Sequence, residues 1–371
     1  MKIGTDQYNT FDTMTMDCWN DRVYYEGKEF PAGQFAAEIL NFAGVIHDPL
    51  LERITVLTAL VDDLSTAEKS KRHDIASQLK PLLRNTVSWL YTCPPFCYCE
   101  EQRTYENLEH ALSEERLNRD YEEEEAHLPY LALSFCEPIL RILVAIYNFC
   151  LLIRAFEKKY LRRAKRRNAD AFAKAAHECF DEDDSFLILL EQMPFGGVEE
   201  FFSYPRVITG FKYFQDENDE EKWKTAQRVI CKRAIDFYVF DLMNGLHHGH
   251  APSQCQGCGR YFLTTNGHIP KYCDGVAPQD NRYTCRQYGA MMHQKEQNKQ
   301  HPVYRLFNTR TDTIRKHHWR GKISDDLRRE ALYLAGSYRD KALMDNDYAA
   351  DGYARDMELE HIYAEAEKRL K

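Results

Sequence analysis

Four cysteines lie in one short segment with the spacing of a metal site. The first pair forms a C-x2-C motif, fourteen residues follow, and the second pair is separated by eleven residues. The four residues are Cys255, Cys258, Cys273 and Cys285. Because four thiolates complete the tetrahedral coordination that Zn²⁺ adopts in structural sites, we expect one structural zinc ion here.

The residues around the cysteines favour a knuckle, a short hairpin and a helix. Gly259 beside the second cysteine relieves the turn, so that backbone amides can point at sulfur. Residues 260–263 are typical of a short strand and residues 264–267 of a turn, and Pro270-Lys271-Tyr272 is expected to return the chain along that strand to Cys273. Cys285 is expected at the start of a helix running to about Gln300, where the helix dipole stabilises a thiolate. This order is the treble-clef plan.

The ligand set has alternatives. A histidine could replace one of the four cysteines as a ligand, most readily the distant Cys285. The candidates lie upstream of the cluster or inside the expected hairpin, and they are His247, His248, His250 and His268. Four unrelated thiols are the other alternative. A second zinc site at Cys93, Cys97 and Cys99 would need a fourth ligand, for which His110 and Cys18 are the only nearby suggestions. We interpret these three cysteines as buried or incidental thiols.

Several motifs carry a family resemblance. The knuckle, the Lys271-Tyr272-Cys273 segment and the Cys285-Arg286 helix start resemble CGNR-type zinc fingers of bacterial regulators. Here residues 274–284 separate two cysteines that are close together in that type. The strings GRYFL, HIPKYCDG and DNRYTCRQYGA are similar to an uncharacterised family of Firmicutes proteins with a domain of unknown function. The resemblance covers roughly residues 235–336. It implies a zinc fold and a DNA-binding role, and transfers no catalytic residue.

The charge distribution also favours a nucleic-acid partner. The 371 residues carry a net charge of -9, yet residues 251–323 contain twelve Lys/Arg against four Asp/Glu. Four thiolates with Zn²⁺ would lower that local +8 to about +6. We expect phosphate contacts, preferably with duplex DNA, from this basic module. The predicted contacts are Arg286, Lys295, Lys299, Arg315, Lys316 and Arg320. The alternative is a structural zinc module in a protein assembly or homodimer.

No catalytic motif is recognisable in the chain. It lacks the G-x-x-x-x-G-K-[ST], H-E-x-x-H and G-x-S-x-G patterns. A zinc site made of four cysteines is closed and cannot activate water, so we predict that the protein is not an enzyme. Asn266 and His268 keep an HNH-like nuclease as a less favoured alternative, because treble-clef scaffolds also occur in those enzymes.

The elements expected to position these residues are mainly helical. We predict a mixed, mainly helical region over residues 1–130, a helical domain over 131–250, the zinc module over 251–323 and a C-terminal helical segment over 324–371. Residues 1–31 are expected to form extended segments and loops, and Thr225–Leu246 a helix. The apolar stretch after Pro138 and the basic run to Arg167, with seven bases in residues 158–167, are expected to form one long helix. Its first half is expected to be buried and its second half to protrude into solvent.

The sequence also bears on location. The amino terminus has no apolar core typical of a secretory signal, and charged residues and a proline interrupt the apolar stretch. We therefore expect a cytoplasmic protein without a membrane partner. Its twelve cysteines are then expected to be thiols or metal ligands rather than disulfides.

Overall fold

A computed structural model describes residues 13–42, 49–117, 130–164, 166–191, 205–216, 219–265, 267 and 271–370. The chain divides into two compact units, Met1–Lys271 and Tyr272–Lys371. The fold is mainly helical, as predicted, and also contains a five-stranded antiparallel sheet. The four-region division of the sequence stays a prediction.

The sheet of the first unit joins distant parts of the chain. The extended segments expected near the amino terminus are confirmed as three strands, and two long strands follow much later. They are β1 (Met14–Trp19), β2 (Arg22–Tyr25), β3 (Lys28–Pro31), β4 (Val207–Asp216) and β5 (Asp219–Cys231). The strand order is β3-β2-β1-β5-β4, so β1 pairs with β2 on one side and β5 on the other.

The helices of the first unit surround one apolar core. They are α1 (Gln34–Ile39), α2 (Pro49–Thr66), α3 (Lys69–Leu90), α4 (Gln102–Ala111), α5 (Glu114–Leu117), α6 (Tyr130–Lys159), α7 (Ala169–Phe180), α8 (Asp184–Glu191) and α9 (Ala234–His247). A short hairpin follows, formed by β6 (Ala251–Gln254) and β7 (Tyr261–Thr264). Helix α6 is central to the core, where Ile146 and Phe149 are fully buried.

The predicted helix over Thr225–Leu246 is wrong in its first third. Residues 225–231 belong to β5, and α9 begins only at Ala234. Val229 and Ile230 are β-branched and suit a strand, and β5 is hydrogen-bonded on both sides, by β1 and β4. Pairing with the adjacent β4 and with β1, far away in the sequence, therefore overrides the local helical spacing.

The predicted course of α6 needs a second correction. Its apolar part is buried as expected, but the helix ends at Lys159 and a 3-10 turn follows at Leu161–Arg163. The basic run therefore does not continue as a protruding helix, and Arg167 is buried.

By length and composition the segment Ala132–Arg163 could cross a membrane, and half of its apolar window is buried inside the protein.

Helices α1 and α9 cross at a glycine contact. A Cβ atom on Gly245 would lie 2.8 Å from Cα of Gly33, so this close approach requires glycine. Gly33, at a φ of +88°, and Ala36 each donate a backbone N–H bond of 2.9 Å to the Asp241 carboxylate. Burial raises the pKa of Asp241 to about 7, although these N–H donors lower it. The contact fixes α1 beside α9.

The described part of the second unit contains a short hairpin followed by helices. They are β8 (Val276–Ala277), β9 (Asp280–Thr284), α10 (Cys285–Gln300), α11 (Pro302–Trp319), α12 (Asp325–Met344), α13 (Tyr353–Asp356) and α14 (Leu359–Leu370). A small core contains Ile314, Leu334 and Ile362. Ser324 caps α12 by accepting a bond from the N–H of Leu327 at 3.2 Å, as its sequence position indicates.

Candidate metal centre

The first two cysteines lie at the tip of the β6–β7 hairpin. The Cys255 N–H donates to the carbonyl of Arg260 at 2.8 Å, and the Gly259 N–H donates to the carbonyl of Cys255 at 2.9 Å. Gly259 has a φ of +74°, which explains the glycine beside the second cysteine. The N–H of Gly257 points at Sγ of Cys255 at 3.4 Å. This is the predicted knuckle, with an amide directed at the sulfur of a candidate ligand.

The partner of β7 differs from the prediction. The expected strand over residues 260–263 is confirmed one residue later, but it pairs with β6, which precedes the knuckle. The segment before Cys273 touches the knuckle differently, because the Lys271 carbonyl accepts a 2.8 Å bond from the N–H of Gln256. The knuckle therefore forms the turn between β6 and β7, whereas the prediction placed it before the hairpin.

Side chains of the first unit hold this hairpin in place. The side-chain amide of Asn41 accepts from the N–H of Tyr261 at 2.7 Å and donates to its carbonyl at 3.0 Å. Arg167 donates to Oγ1 of Thr264 at 3.1 Å. His250, just before β6, is buried with Nδ1 3.0 Å from the carbonyl of Ala32. These hydrogen bonds attach the β6–β7 hairpin, and with it the knuckle, to the rest of the first unit.

The other two cysteines flank a second hairpin. Strands β8 and β9 lie within residues 274–284, the segment expected from the sequence to be a loop between the two cysteines. The N–H of Cys285 donates to the Gly275 carbonyl at 2.7 Å, and the N–H of Arg286 donates to the Cys273 carbonyl at 3.1 Å. These bonds bring the start of α10 back to Cys273. The widely spaced pair is therefore compatible with one site.

Cys285 is the first residue of α10, as predicted. Thr284 is the N-cap and forms a reciprocal capping box with Gln287, with hydrogen bonds of 2.9 and 3.2 Å. Exposed backbone N–H groups of a first helical turn favour a negative charge nearby. Cys285, the fourth candidate ligand, therefore lies where a thiolate is stabilised.

The four sulfur atoms form one compact cluster. All lie within 4.8 Å of one another. Tetrahedral Zn²⁺ with Zn–S bonds of about 2.3 Å would bring them to about 3.8 Å, so the donor set fits with a small contraction. Cys255 and Cys285 are almost completely buried, and Cys273 is 8% exposed. Cys258 is partly exposed. A set in which three of four thiols are shielded suits a structural ion without an open coordination position.

No histidine joins the cluster among the residues that the structure describes. His250 makes the bond to Ala32 noted above, and His247 and His248 pack ring to ring with their centroids 5.0 Å apart. Asn266 and His268, invoked for a mixed site or a nuclease, lie outside the described residues. Among the described residues, the cluster therefore consists of cysteines only.

The second cysteine group behaves differently. Cys93 is buried, Cys99 is partly buried and Cys97 is exposed. The Cys93 thiol donates to the carbonyl of Trp89 at 3.4 Å, and Sγ of Cys99 lies 3.3 Å from the Tyr25 hydroxyl. Burial raises the pKa of Cys93 to about 12, which keeps it protonated. Such a thiol is a poor metal ligand.

A tyrosine and a glycine next to the cluster were missed by sequence reasoning. The ring of Tyr272 lies against Gly289 of α10 so closely that any Cβ there would overlap it. Tyr272 precedes Cys273, and Gly289 lies one turn beyond Cys285. A glycine inside an otherwise helical pattern was the available signal, because it often marks a close contact. This contact aligns α10 with the cysteine segment.

The predicted nucleic-acid contacts lie on α10, on α11 and just after it. Arg286, Lys295, Arg315, Lys316 and Arg320 are all exposed, and the side chain of Lys299 lies outside the described part of the chain. Two of the cations have acidic partners: Arg286 forms a 3.0 Å ion pair with Asp274, and Arg315 a 3.2 Å pair with Asp312. Trp319, at the end of α11, is 85% exposed.

Comparison with known proteins adds one match. A family of unknown function (DUF6076) matches residues 203–369, which include all four clustered cysteines. No curated protein and no solved structure matches the chain. The match covers the cysteine cluster and assigns it no activity.

Proposed function

We propose that this chain is a zinc-binding protein with one structural Zn²⁺ held by Cys255, Cys258, Cys273 and Cys285. The mutual approach of the four sulfurs carries the proposal. Zn²⁺ would supply structural cross-linking, because four protein ligands leave no position for water or substrate. The succession of knuckle, hairpin and helix start supports a treble-clef-like module, in which the ion joins the knuckle to the first turn of α10.

Metal analysis tests this proposal. Protein purified without added zinc should contain about one Zn²⁺ per chain, and Cys258→Ser should lose it. Cys97→Ser is the matched control, because Cys97 is exposed and lies outside the cluster. Equal zinc contents in the two variants would refute the assignment, as would a metal-free preparation with α10 fully formed.

We further propose that the module binds nucleic acid, preferably duplex DNA, and acts as a regulator rather than an enzyme. Lys295, Lys316 and Arg320 support this, because they are exposed and make no ion pair with any described residue. Their charges are free to displace counterions from phosphates. Arg286 and Arg315 keep acidic partners and contribute less. The closed zinc site argues against a hydrolytic role.

Fluorescence anisotropy with a labelled duplex at several salt concentrations tests DNA binding. Binding should fall steeply as salt rises, and Lys295→Glu with Lys316→Glu should weaken it at least 10-fold. Lys71→Glu with Lys232→Glu matches the change in net charge at two exposed lysines elsewhere. Equal losses in both double variants would indicate a net-charge effect only. A protein-assembly role instead predicts zinc without salt-sensitive DNA binding, and Mg²⁺-dependent DNA cutting would favour the nuclease.

A further inference from the structure

The basic run at residues 158–167 lies beside the zinc knuckle, and the function proposed above makes no use of it. Seven of its ten residues are Lys or Arg, and none is acidic. Placing so many like charges on one turn costs free energy through mutual repulsion. Specific contacts must therefore hold the turn, or a polyanion must neutralise it.

Three of the bases serve as anchors. Lys159 donates to Asp183 at 2.5 Å, and Arg162 forms a 2.9 Å pair with the buried carboxylate of Glu157. The buried Arg167 donates to Thr264 on β7 at 3.1 Å, as described above. These contacts fix the turn against α8 and the β6–β7 hairpin, and they account for three of the seven charges.

Lys158, Arg163 and Arg166 remain without such a role. All three are exposed, and none forms an ion pair with any residue of the described ranges. Lys165 lies outside those ranges. The turn is thus held rigidly by its anchors while its other cations face solvent, which is the arrangement expected of a preorganised anion-binding surface.

Two hydrogen bonds connect this turn to the knuckle. Arg162 donates to Oε1 of Gln254 at 3.2 Å, and Nε2 of Gln254 donates to the carbonyl of Gly259 at 3.0 Å. Arg260, the next residue, is exposed and also makes no ion pair within the described ranges. Free cations therefore lie on both sides of this short bridge.

We propose that Arg163, Arg166 and Arg260 form a second phosphate-binding surface, the arginine surface, which contacts the backbone of the nucleic acid bound by this protein. The inference rests on the proposed nucleic-acid binding and adds a contact in the first unit. Arginine suits this role because its guanidinium forms bidentate bonds to phosphate. Backbone contacts of this kind position a partner without reading its sequence.

The test uses the full-length, zinc-loaded protein and the labelled duplex. Arg163→Gln with Arg166→Gln should weaken binding on the order of 10-fold to 100-fold near 0.1 M salt. The slope of log affinity against log salt should fall by about 2, since each lost phosphate contact removes about 0.9. Zinc content and thermal stability should stay unchanged, because neither side chain makes an ion pair in the described structure.

Matched variants separate this inference from the proposed function. Lys71→Gln with Lys232→Gln, which removes the same charge, should leave the salt slope near that of the wild type. If Lys295→Glu with Lys316→Glu weakens binding but Arg163→Gln with Arg166→Gln retains the wild-type slope, the arginine surface is refuted and the proposed function stands. If the wild-type protein fails to bind the duplex at low salt, both fail.

Discussion

Helices α6 and α10 are positioned by different means. Helix α6 has 30 residues, and its apolar side chains are buried in the main core. Helix α10 has 16 residues, and among those whose burial is described only Cys285 and Gly289 are buried. Hydrophobic burial accounts for the place of α6. It contributes little to α10.

The difference bears on what orders α10. Most helical stability in proteins comes from packing of an apolar face, which α10 lacks, so α10 depends on contacts at its first turns. These contacts are the Thr284 capping box, the Tyr272–Gly289 contact and the Cys285 thiolate in the cluster. In the proposed function, zinc takes the place of an apolar face in ordering this helix.

Removing a ligand should have the largest effect on zinc binding. Cys285→Ser is expected to weaken zinc affinity by more than about 100-fold, because loss of even an outer-shell partner costs about 10–100-fold. Competition with a chromophoric chelator measures the change. Cys136→Ser, at a buried thiol of α6, should retain wild-type affinity. A similar loss in both variants would remove the distinction between the two helices.

A cavity in the main core should lower stability without changing zinc binding. Phe149→Ala is expected to lower the free energy of unfolding of the first unit by about 3–5 kcal/mol, because the ring is completely buried. Denaturant titration followed by circular dichroism measures this loss. The stoichiometry of zinc should remain that of the wild type. Loss of zinc from this variant under native conditions would indicate that the core also maintains the metal centre.

Two glycine substitutions sharpen the comparison with a smaller effect. Gly289→Ala forces a Cβ into the Tyr272 ring and should destabilise α10 by about 1–3 kcal/mol. Gly336→Ala on α12 has open space around the new Cβ and should stabilise its helix by about 0.5–1 kcal/mol. Thermal unfolding of both variants gives the sign. Shifts in the same direction would exclude the Tyr272 contact as a constraint.

The sequence predicted the cysteine cluster better than the sheet, for a physical reason. The cysteines, Gly259 and the start of α10 are specified within one short segment, residues 255–285, so spacing and turn chemistry suffice. The sheet depends on β1 pairing with β5 late in the chain. Asp241 similarly caps α1 across 208 residues. The local spacing of apolar residues does not indicate distant pairing partners. For this reason the spacing predicts a helix over Thr225–Cys231, where the structure has a strand.

Hydrogen exchange followed by mass spectrometry tests the central claim most directly. Amide protection would be compared between zinc-loaded protein and protein from which a chelator has removed the metal. The account predicts that peptides from residues 285–297 lose protection without zinc, whereas peptides from residues 139–156 of α6 keep theirs. Unchanged protection of α10 in protein verified to be metal-free would contradict it.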